Sequence, residues 1–163
     1  MENKLSKRKN LRINKYNYSD IGYYFITICI KNKKCILSTI ANDEKKQSIK
    51  IKLLPYGLIT EKYIKSTNNI YDNIIISNYV IMPNHIHFIC EIINKDEVNR
   101  LPANATIPCI VGTLKKLINK ECKEKIWQRN YYEHIIRNEN EYLKILEYIQ
   151  NNPYKWGNDK YYI

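Results

Sequence analysis

Hydrophobic and polar residues follow strand-like and helix-like patterns in turn along the first half of the chain. Tyr23–Ile30 is dense in β-branched and aromatic residues, which predicts a strand buried on both faces. After a polar loop around Asn42–Ser48, the apolar positions of Gly57–Thr67 recur at helical spacing and predict a helix. Two further strands are predicted over Asn78–Met82 and His85–Ile93, because a proline–asparagine turn pair separates two strand-like runs there.

The second half of the chain predicts a helix, a strand and a well-marked final helix. Ile107–Lys120 has apolar positions on one side and lysines on the other, as an amphipathic helix has. Ile126–Ile136 is aromatic and β-branched, which predicts a fourth strand. The last helix begins at Asn138, a good N-cap, with Glu141 in the capping-box position, and it ends at Pro153.

The resulting order is β-α-β-β-α-β followed by one more helix. This order predicts an α+β fold, a ferredoxin-like antiparallel sheet with an additional C-terminal helix that carries a candidate tyrosine. A chain of 163 residues is long enough for one domain with its own core and short for two. We therefore predict a single domain over residues 1–163, in which residues 1–12 form a basic flexible arm.

The charge of the chain is the first indication of a partner. A net charge of +11 attracts polyanions and favours nucleic acid binding, although an AT-rich coding sequence would also enrich lysine. No apolar run approaches the roughly 18 residues of a membrane span, and the charged start lacks a secretory signal, so a cytoplasmic protein is expected, at the nucleoid when it binds DNA. Five scattered cysteines without a CxxC spacing argue against a disulfide framework and a thiolate zinc site.

Two of the three histidines form the sequence His85-Ile86-His87 inside a predicted strand. Side chains alternate between the faces of a strand, so both imidazoles should point the same way. Two nitrogen ligands on a rigid strand suit a divalent metal, although a third ligand must come from elsewhere. A pair of surface histidines without a metal is the alternative.

Position in the last helix singles out Tyr148 among fifteen tyrosines. The apolar arc of this helix contains Tyr142, Leu143 and Ile149, whereas Tyr148 lies outside the arc, on the polar side. Asn152 follows one turn later on the same face, so its amide oxygen could bind a metal near the tyrosine. The alternative is a boundary tyrosine followed by an asparagine that caps the helix end.

These same segments resemble the single-tyrosine transposases of the HUH type. YVIMPNHIHFI (Tyr79–Ile89) resembles their HUH strand, in which two histidines flank a bulky hydrophobic residue. IWQRNYYEHIIRNENEY (Ile126–Tyr142) and YIQNNPYKW (Tyr148–Trp156) resemble the closing motifs of REP-associated tyrosine transposases and their insertion-sequence relatives. The segment from Leu11 to Leu37 is similar to the start of that family, so the resemblance extends from about Leu11 to the C-terminus.

The resemblance implies a function and a role for four residues. His85 and His87 match the metal-binding histidines, Tyr148 matches the nucleophile, and Asn152 matches the residue that supplies the third metal ligand. The function implied is a metal-dependent transposase that cleaves and rejoins single-stranded DNA through a 5′-phosphotyrosine intermediate, next to hairpin or palindromic repeats. The implied cofactor is Mg²⁺ or Mn²⁺, and the implied partners are single-stranded DNA and DNA hairpins. Many members of the family work as dimers and some close relatives as monomers, so a homodimer is one expectation.

Further DNA contacts and other functions stay open at this point. The candidate phosphate contacts, chosen for their charge, are Arg8, Arg12, Lys115, Lys116, Arg129 and Arg137. Trp127 and Tyr131 could stack on bases or pack in the core. The main alternative function is a ferredoxin-like module that binds structured DNA or RNA without cutting it. A relaxase or replication initiator would share the histidine pair but is expected to be a longer chain.

Overall fold

The strands and helices of the protein were assigned in a computed structural model that describes residues 21–43, 48–71, 73–93 and 107–162. The described residues form these strands and helices in chain order: β1 (Gly22–Cys29), β2 (Ser38–Asp43), β3 (Ser48–Leu53), α1 (Pro55–Ile70), β4 (Ile74–Ile81), β5 (His85–Ile92), α2 (Ile107–Cys122), β6 (Tyr132–Ile136) and α3 (Glu139–Asn151). The proposed N-terminal arm lies outside the described residues, so the arm and the single domain over the whole chain stay predictions. No helix among the described residues is long and apolar enough to cross a lipid bilayer.

Four of the strands form one antiparallel sheet with the order β4-β5-β1-β6. β1 lies in the centre because its apolar residues can be buried on both faces. Its pairing with β5 sets Thr27 opposite His87 and Cys29 opposite His85. The α+β, ferredoxin-like class predicted from the sequence is confirmed, and the register brings β1 side chains beside the histidine pair.

The two faces of this sheet carry different helices. Tyr24, Ile26 and Ile28 of β1 are buried in the larger core, together with residues of α1 and α2. Phe25, on the opposite face, belongs to a smaller apolar cluster with Ile149 of α3. Because His85 and His87 alternate with residues of the larger core on β5, they lie on the α3 face, where the apolar cluster is smaller.

Three elements differ from the sequence expectation. The strand predicted over Asn78–Met82 begins earlier, at Ile74, and ends at Ile81. Asn42, Asp43 and Ser48, predicted to lie in a polar loop, belong to the paired strands β2 and β3, whose Ile40 and Ile51 pack on the α3-side cluster. The predicted strand Ile126–Ile136 begins only at Tyr132, while Trp127 makes an isolated bridge with Ile30. Trp127 is 7% exposed and belongs to the core, so packing accounts for it without base stacking.

The final helix begins as its cap predicted. Asn138 Oδ1 accepts from the Glu141 backbone N–H at 2.9 Å, and the Glu141 carboxylate accepts from the Arg137 N–H at 2.7 Å. The carboxylate therefore accepts from the backbone N–H of the residue before the N-cap, whereas in a capping box it would accept from the N–H of the N-cap residue. Leu143, expected in the apolar arc, is 52% exposed, because only part of that arc meets the sheet. After α3, Pro153–Asn158 forms a 3₁₀ helix that turns the chain back towards the histidines.

Candidate active site

The two histidines of β5 form the floor of the site. His85 and His87 are both at most 1% exposed, and their ring centroids are 4.5 Å apart. This confirms that they share one face of the sheet. Burial lowers the pKa of His85 to about 4 and holds the pKa of His87 well below its ordinary value, so both rings are neutral near pH 7. A neutral imidazole is the form that binds a metal.

Each histidine has a polar partner on its Nδ1 atom. Thr27 Oγ1 lies 2.8 Å from His87 Nδ1, and Asn84 Oδ1 lies 2.9 Å from His85 Nδ1. A hydrogen on each Nδ1, donated to these oxygens, leaves the lone pair of each Nε2 for a ligand. Thr27 and Asn84 therefore select the tautomer and fix the plane of the two rings.

Tyr148 projects from α3 onto the same floor. Its hydroxyl oxygen lies 3.3 Å from His87 Nε2, and the two rings are 5.2 Å apart. The side chain is 38% exposed, so a polynucleotide could reach the hydroxyl from solvent. Burial and the charge of Asp159 raise the pKa of Tyr148 above its ordinary value of 10, while Asn152 lowers it. The free phenol is therefore protonated near pH 7 and needs activation before it can act as a nucleophile.

Asn152 and Asp159 bring oxygen atoms to the histidines. Asn152 is 2% exposed, and its Nδ2 donates to Asp159 Oδ2 at 2.9 Å. One ligand atom each of His85, His87 and Asp159 lie within 4.8 Å of one another. The two histidines predicted from the sequence thus converge with Tyr148 and Asn152, and Asp159 joins them.

Asp159 was not found from the sequence. It lies seven residues beyond Asn152, on the far side of a 3₁₀ helix, so no helical or strand periodicity connects it to either histidine. The one available signal was a lone acidic residue between Asn158 and Lys160, close to the tyrosine helix, in an otherwise basic chain. The residue enters the site only because the chain folds back after Pro153.

Two buried polar atoms in the site have no hydrogen-bond partner among the described residues, His85 Nε2 and Asn152 Oδ1. Such orphaned atoms are costly unless something else binds them. Two imidazole nitrogens, a carboxylate and an amide oxygen form a donor set that suits a divalent metal. The residues present therefore fit the cofactor that the motifs predicted.

Tyr161 closes the site from the C-terminal side. Its ring lies 4.5 Å from the ring of His85, and its carbonyl accepts from Asn84 Nδ2 at 2.8 Å. Its backbone N–H donates to Asp159 Oδ1 at 2.7 Å. The segment after α3 therefore holds both Asp159 and the Asn84 side chain that orients His85.

The described basic residues among the predicted DNA contacts lie apart from this cluster. Arg8 and Arg12 lie outside the described residues. The Lys115 ammonium is held by the carbonyls of residues 128 to 130 at 2.9 to 3.2 Å, and burial lowers its pKa to about 8. Lys116, Arg129 and Arg137 are exposed, Arg129 in a groove with Lys31 and Lys125.

Comparison with known proteins relates this arrangement to a family. No family model matches the chain. A Haemophilus influenzae protein described as uncharacterized is 38% identical over 96% of this chain and 93% of its own length. A second protein of Haemophilus influenzae, provisionally named a REP-associated tyrosine transposase, is 26% identical over 83% of this chain and 72% of its own length.

A solved structure supports the same relationship at the level of the fold. The structure of a REP-associated tyrosine transposase bound to a REP hairpin superposes with a TM-score of 0.61 and 21% identity, covering 91% of this chain and 76% of the other. The similarity predicted from the histidine and tyrosine motifs is thus confirmed by an independent comparison of folds. The chain belongs to the same family as the first Haemophilus influenzae protein, and in sequence and fold it is similar to REP-associated tyrosine transposases.

Proposed function

We propose that this protein is a metal-dependent transposase that cleaves and rejoins single-stranded DNA through a 5′-phosphotyrosine intermediate. The observation that carries the proposal is the position of the Tyr148 hydroxyl, 3.3 Å from His87 Nε2 and beside the His85, His87 and Asp159 cluster. Packing of α3 on the sheet does not require the Tyr148 hydroxyl to lie next to two neutral, buried histidines. The similarity to the REP-associated tyrosine transposases supports the same reading.

Four residues are assigned to metal binding, and one is assigned to attack on the DNA. His85 and His87 would hold a divalent metal through Nε2, with Asp159 and Asn152 as oxygen ligands. When bound, Mg²⁺ or Mn²⁺ would neutralise charge on the scissile phosphate and favour attack on phosphorus. Tyr148 is the nucleophile that meets this phosphate. A donor set of two imidazole nitrogens and two oxygens suits a divalent metal of this kind.

The chemistry of Tyr148 follows from its surroundings. The bond from the phenol oxygen to phosphorus forms and the bond from phosphorus to the 3′ oxygen breaks. The proton lost by the phenol is balanced by the one gained by the leaving 3′ oxygen, which becomes a 3′ hydroxyl. The raised pKa of Tyr148 means that the free site keeps the phenol protonated. Attack by a 3′ hydroxyl on the phosphotyrosine reverses the step, so strands are rejoined without ATP.

The kind of DNA that lies next to the cut is proposed from the DNA bound to a similar protein. The solved transposase is bound to a REP hairpin, and we propose that this chain acts next to hairpin or palindromic repeats in the same way. The net charge of +11 supports a polyanionic partner. A homodimer stays a prediction, which sedimentation of the protein with and without hairpin DNA would test.

The decisive experiment is the detection of a covalent protein–DNA adduct. Labelled single-stranded DNA from both flanks of the gene is incubated with the protein and Mn²⁺ or EDTA, and the products are separated on a denaturing gel. We expect a metal-dependent adduct that is lost in Tyr148→Phe. Tyr154→Phe serves as the matched control, because Tyr154 is 59% exposed and lies outside the site.

The outcomes separate the candidate functions. An adduct that persists in Tyr148→Phe contradicts the assignment of the nucleophile. Tight binding of the same strands without an adduct, in Mn²⁺ and in Mg²⁺, favours a module that binds structured nucleic acid without cutting it. Loss of the adduct in Tyr154→Phe as well would point to general damage rather than to a catalytic tyrosine.

A further inference from the structure

A cleft of about 640 Å³ opens beside Tyr148, between β6 and α3. Phe25 forms its floor, with Tyr132 edge-on at 6.4 Å and Tyr148 edge-on at 6.0 Å. His134, opposite Phe25 in the sheet, lines the same wall as Tyr132. The cleft therefore has aromatic walls on both sides and the candidate nucleophile at one end.

The floor and the polar wall of the cleft are held in fixed positions. The Phe25 ring stacks on His87 at 5.2 Å and an interplanar angle of 27°. His134 Nε2 and Glu141 Oε1 lie 2.6 Å apart, and the same carboxylate accepts from the Arg137 N–H. These bonds fix the polar wall of the cleft before any ligand enters, as binding sites commonly are.

The rim of the cleft is cationic. Lys144, Lys155 and Lys160 line it, and the Lys160 ammonium lies 5.5 Å above the Tyr132 ring. The carboxylates of Glu141 and Asp159 also line the cleft, so its three lysines leave a small excess of positive charge. Aromatic walls with cations at the mouth match a base attached to a phosphodiester, since bases stack on aromatic rings and lysines attract phosphates.

We propose that this cleft, the β6–α3 slot, binds one nucleobase of the strand that Tyr148 attacks, next to the scissile phosphate. The proposal rests on the proposed function, because it takes the attacked strand as the ligand. Glu141 precedes Tyr148 by two helical turns, so the slot runs about 10 Å along α3, a length that holds one nucleotide. Tyr132 is 47% exposed and provides the stacking surface, while His134 and Glu141 face the polar edge of the base.

The test removes bases one at a time from the strand that forms the adduct. Each position within three nucleotides of the cut is replaced by an abasic site, and the affinity for Tyr148→Phe protein is measured by fluorescence anisotropy. We expect one position at which loss of the base weakens binding by roughly 5- to 100-fold, the usual range for base–aromatic stacking. In the double variant Tyr148→Phe, Tyr132→Ala, the same abasic site should weaken binding by less than about twofold.

A matched double variant and a base series complete the design. Tyr148→Phe, Tyr154→Ala loses an exposed tyrosine outside the slot and should keep the full abasic effect. His134→Gln should change the preference among the four bases at the sensitive position and at no other. Thermal unfolding of each variant identifies any that fails to fold, and His134→Gln then replaces Tyr132→Ala as the deciding variant.

The slot and the proposed function can fail separately. If no strand forms an adduct, both proposals fall together. If the adduct forms but every abasic strand binds equally, or if Tyr132→Ala leaves the abasic effect intact, the slot alone is refuted.

Discussion

Thr27→Val is the sharpest test of how the histidine pair is held. Thr27 is 1% exposed, and its Oγ1 lies 2.8 Å from Nδ1 of His87, itself 1% exposed. Valine keeps the volume of threonine and removes this oxygen, so no cavity forms and the Nδ1 hydrogen loses its partner. A buried polar group left unpaired costs about 1–3 kcal/mol.

Two quantities should change in this variant. For a domain of this size, about 2 kcal/mol corresponds to a fall of roughly 4–8 °C in the Tm measured in EDTA. Without the oxygen, His87 can place its hydrogen on Nε2, the atom that must be free for a metal. Loss of such a hydrogen-bond partner weakens metal binding by roughly 10- to 100-fold, which calorimetric titration with Mn²⁺ would measure.

Thr60→Val is the matched control. Thr60 is equally buried, and its hydroxyl donates to the Tyr56 carbonyl inside α1, far from the histidines. We expect a small change in Tm and no change in Mn²⁺ affinity, because the Tyr56 carbonyl can still accept its helical bond. If Thr27→Val binds Mn²⁺ as tightly as the wild type does, the proposed role of Thr27 is refuted.

Three further predictions concern the site and the packing beside it. Asp159→Asn keeps the size of the side chain, removes the charge from the cluster and leaves one of the two accepting oxygens, so Mn²⁺ affinity should fall by at least about tenfold in calorimetry. An unchanged affinity would exclude Asp159 as a ligand. The pKa of about 4 for His85 lies below that of an unfolded histidine, so stability should fall as the pH drops from about 6.5 to 4, by up to about 3 kcal/mol. His85→Gln, measured in EDTA, should lose less stability over this range than the wild type does. An identical pH dependence in the two proteins would contradict the lowered pKa of His85. Gly57→Ala would place a Cβ in steric clash with the Leu37 carbonyl oxygen, a backbone atom, so we expect a loss of several kcal/mol in denaturant unfolding.

Local periodicity explains which parts of the fold could be predicted. The buried strand β1, the helix α2 and the start of α3 at Asn138 were found because their signals lie within one element. The β2–β3 pair was missed because the residues at the facing ends of the two strands are polar, and because the strands are short and form a separate two-stranded sheet. The start of β6 was placed too early, since an aromatic run such as that around Trp127 fits a strand and a buried loop equally well.

The sequence by itself determined the pairs within the site. Alternation along one strand put His85 and His87 on the same face, and a four-residue spacing put Tyr148 and Asn152 on one side of a helix, because both relations depend only on the repeat of the backbone. Only the tertiary structure decided how these pairs meet. The register of β1 against β5 brought Thr27 to His87, and the fold-back after Pro153 brought Asp159 to the cluster. Contacts between residues distant in sequence are selected by packing of the whole chain, which no local repeat encodes.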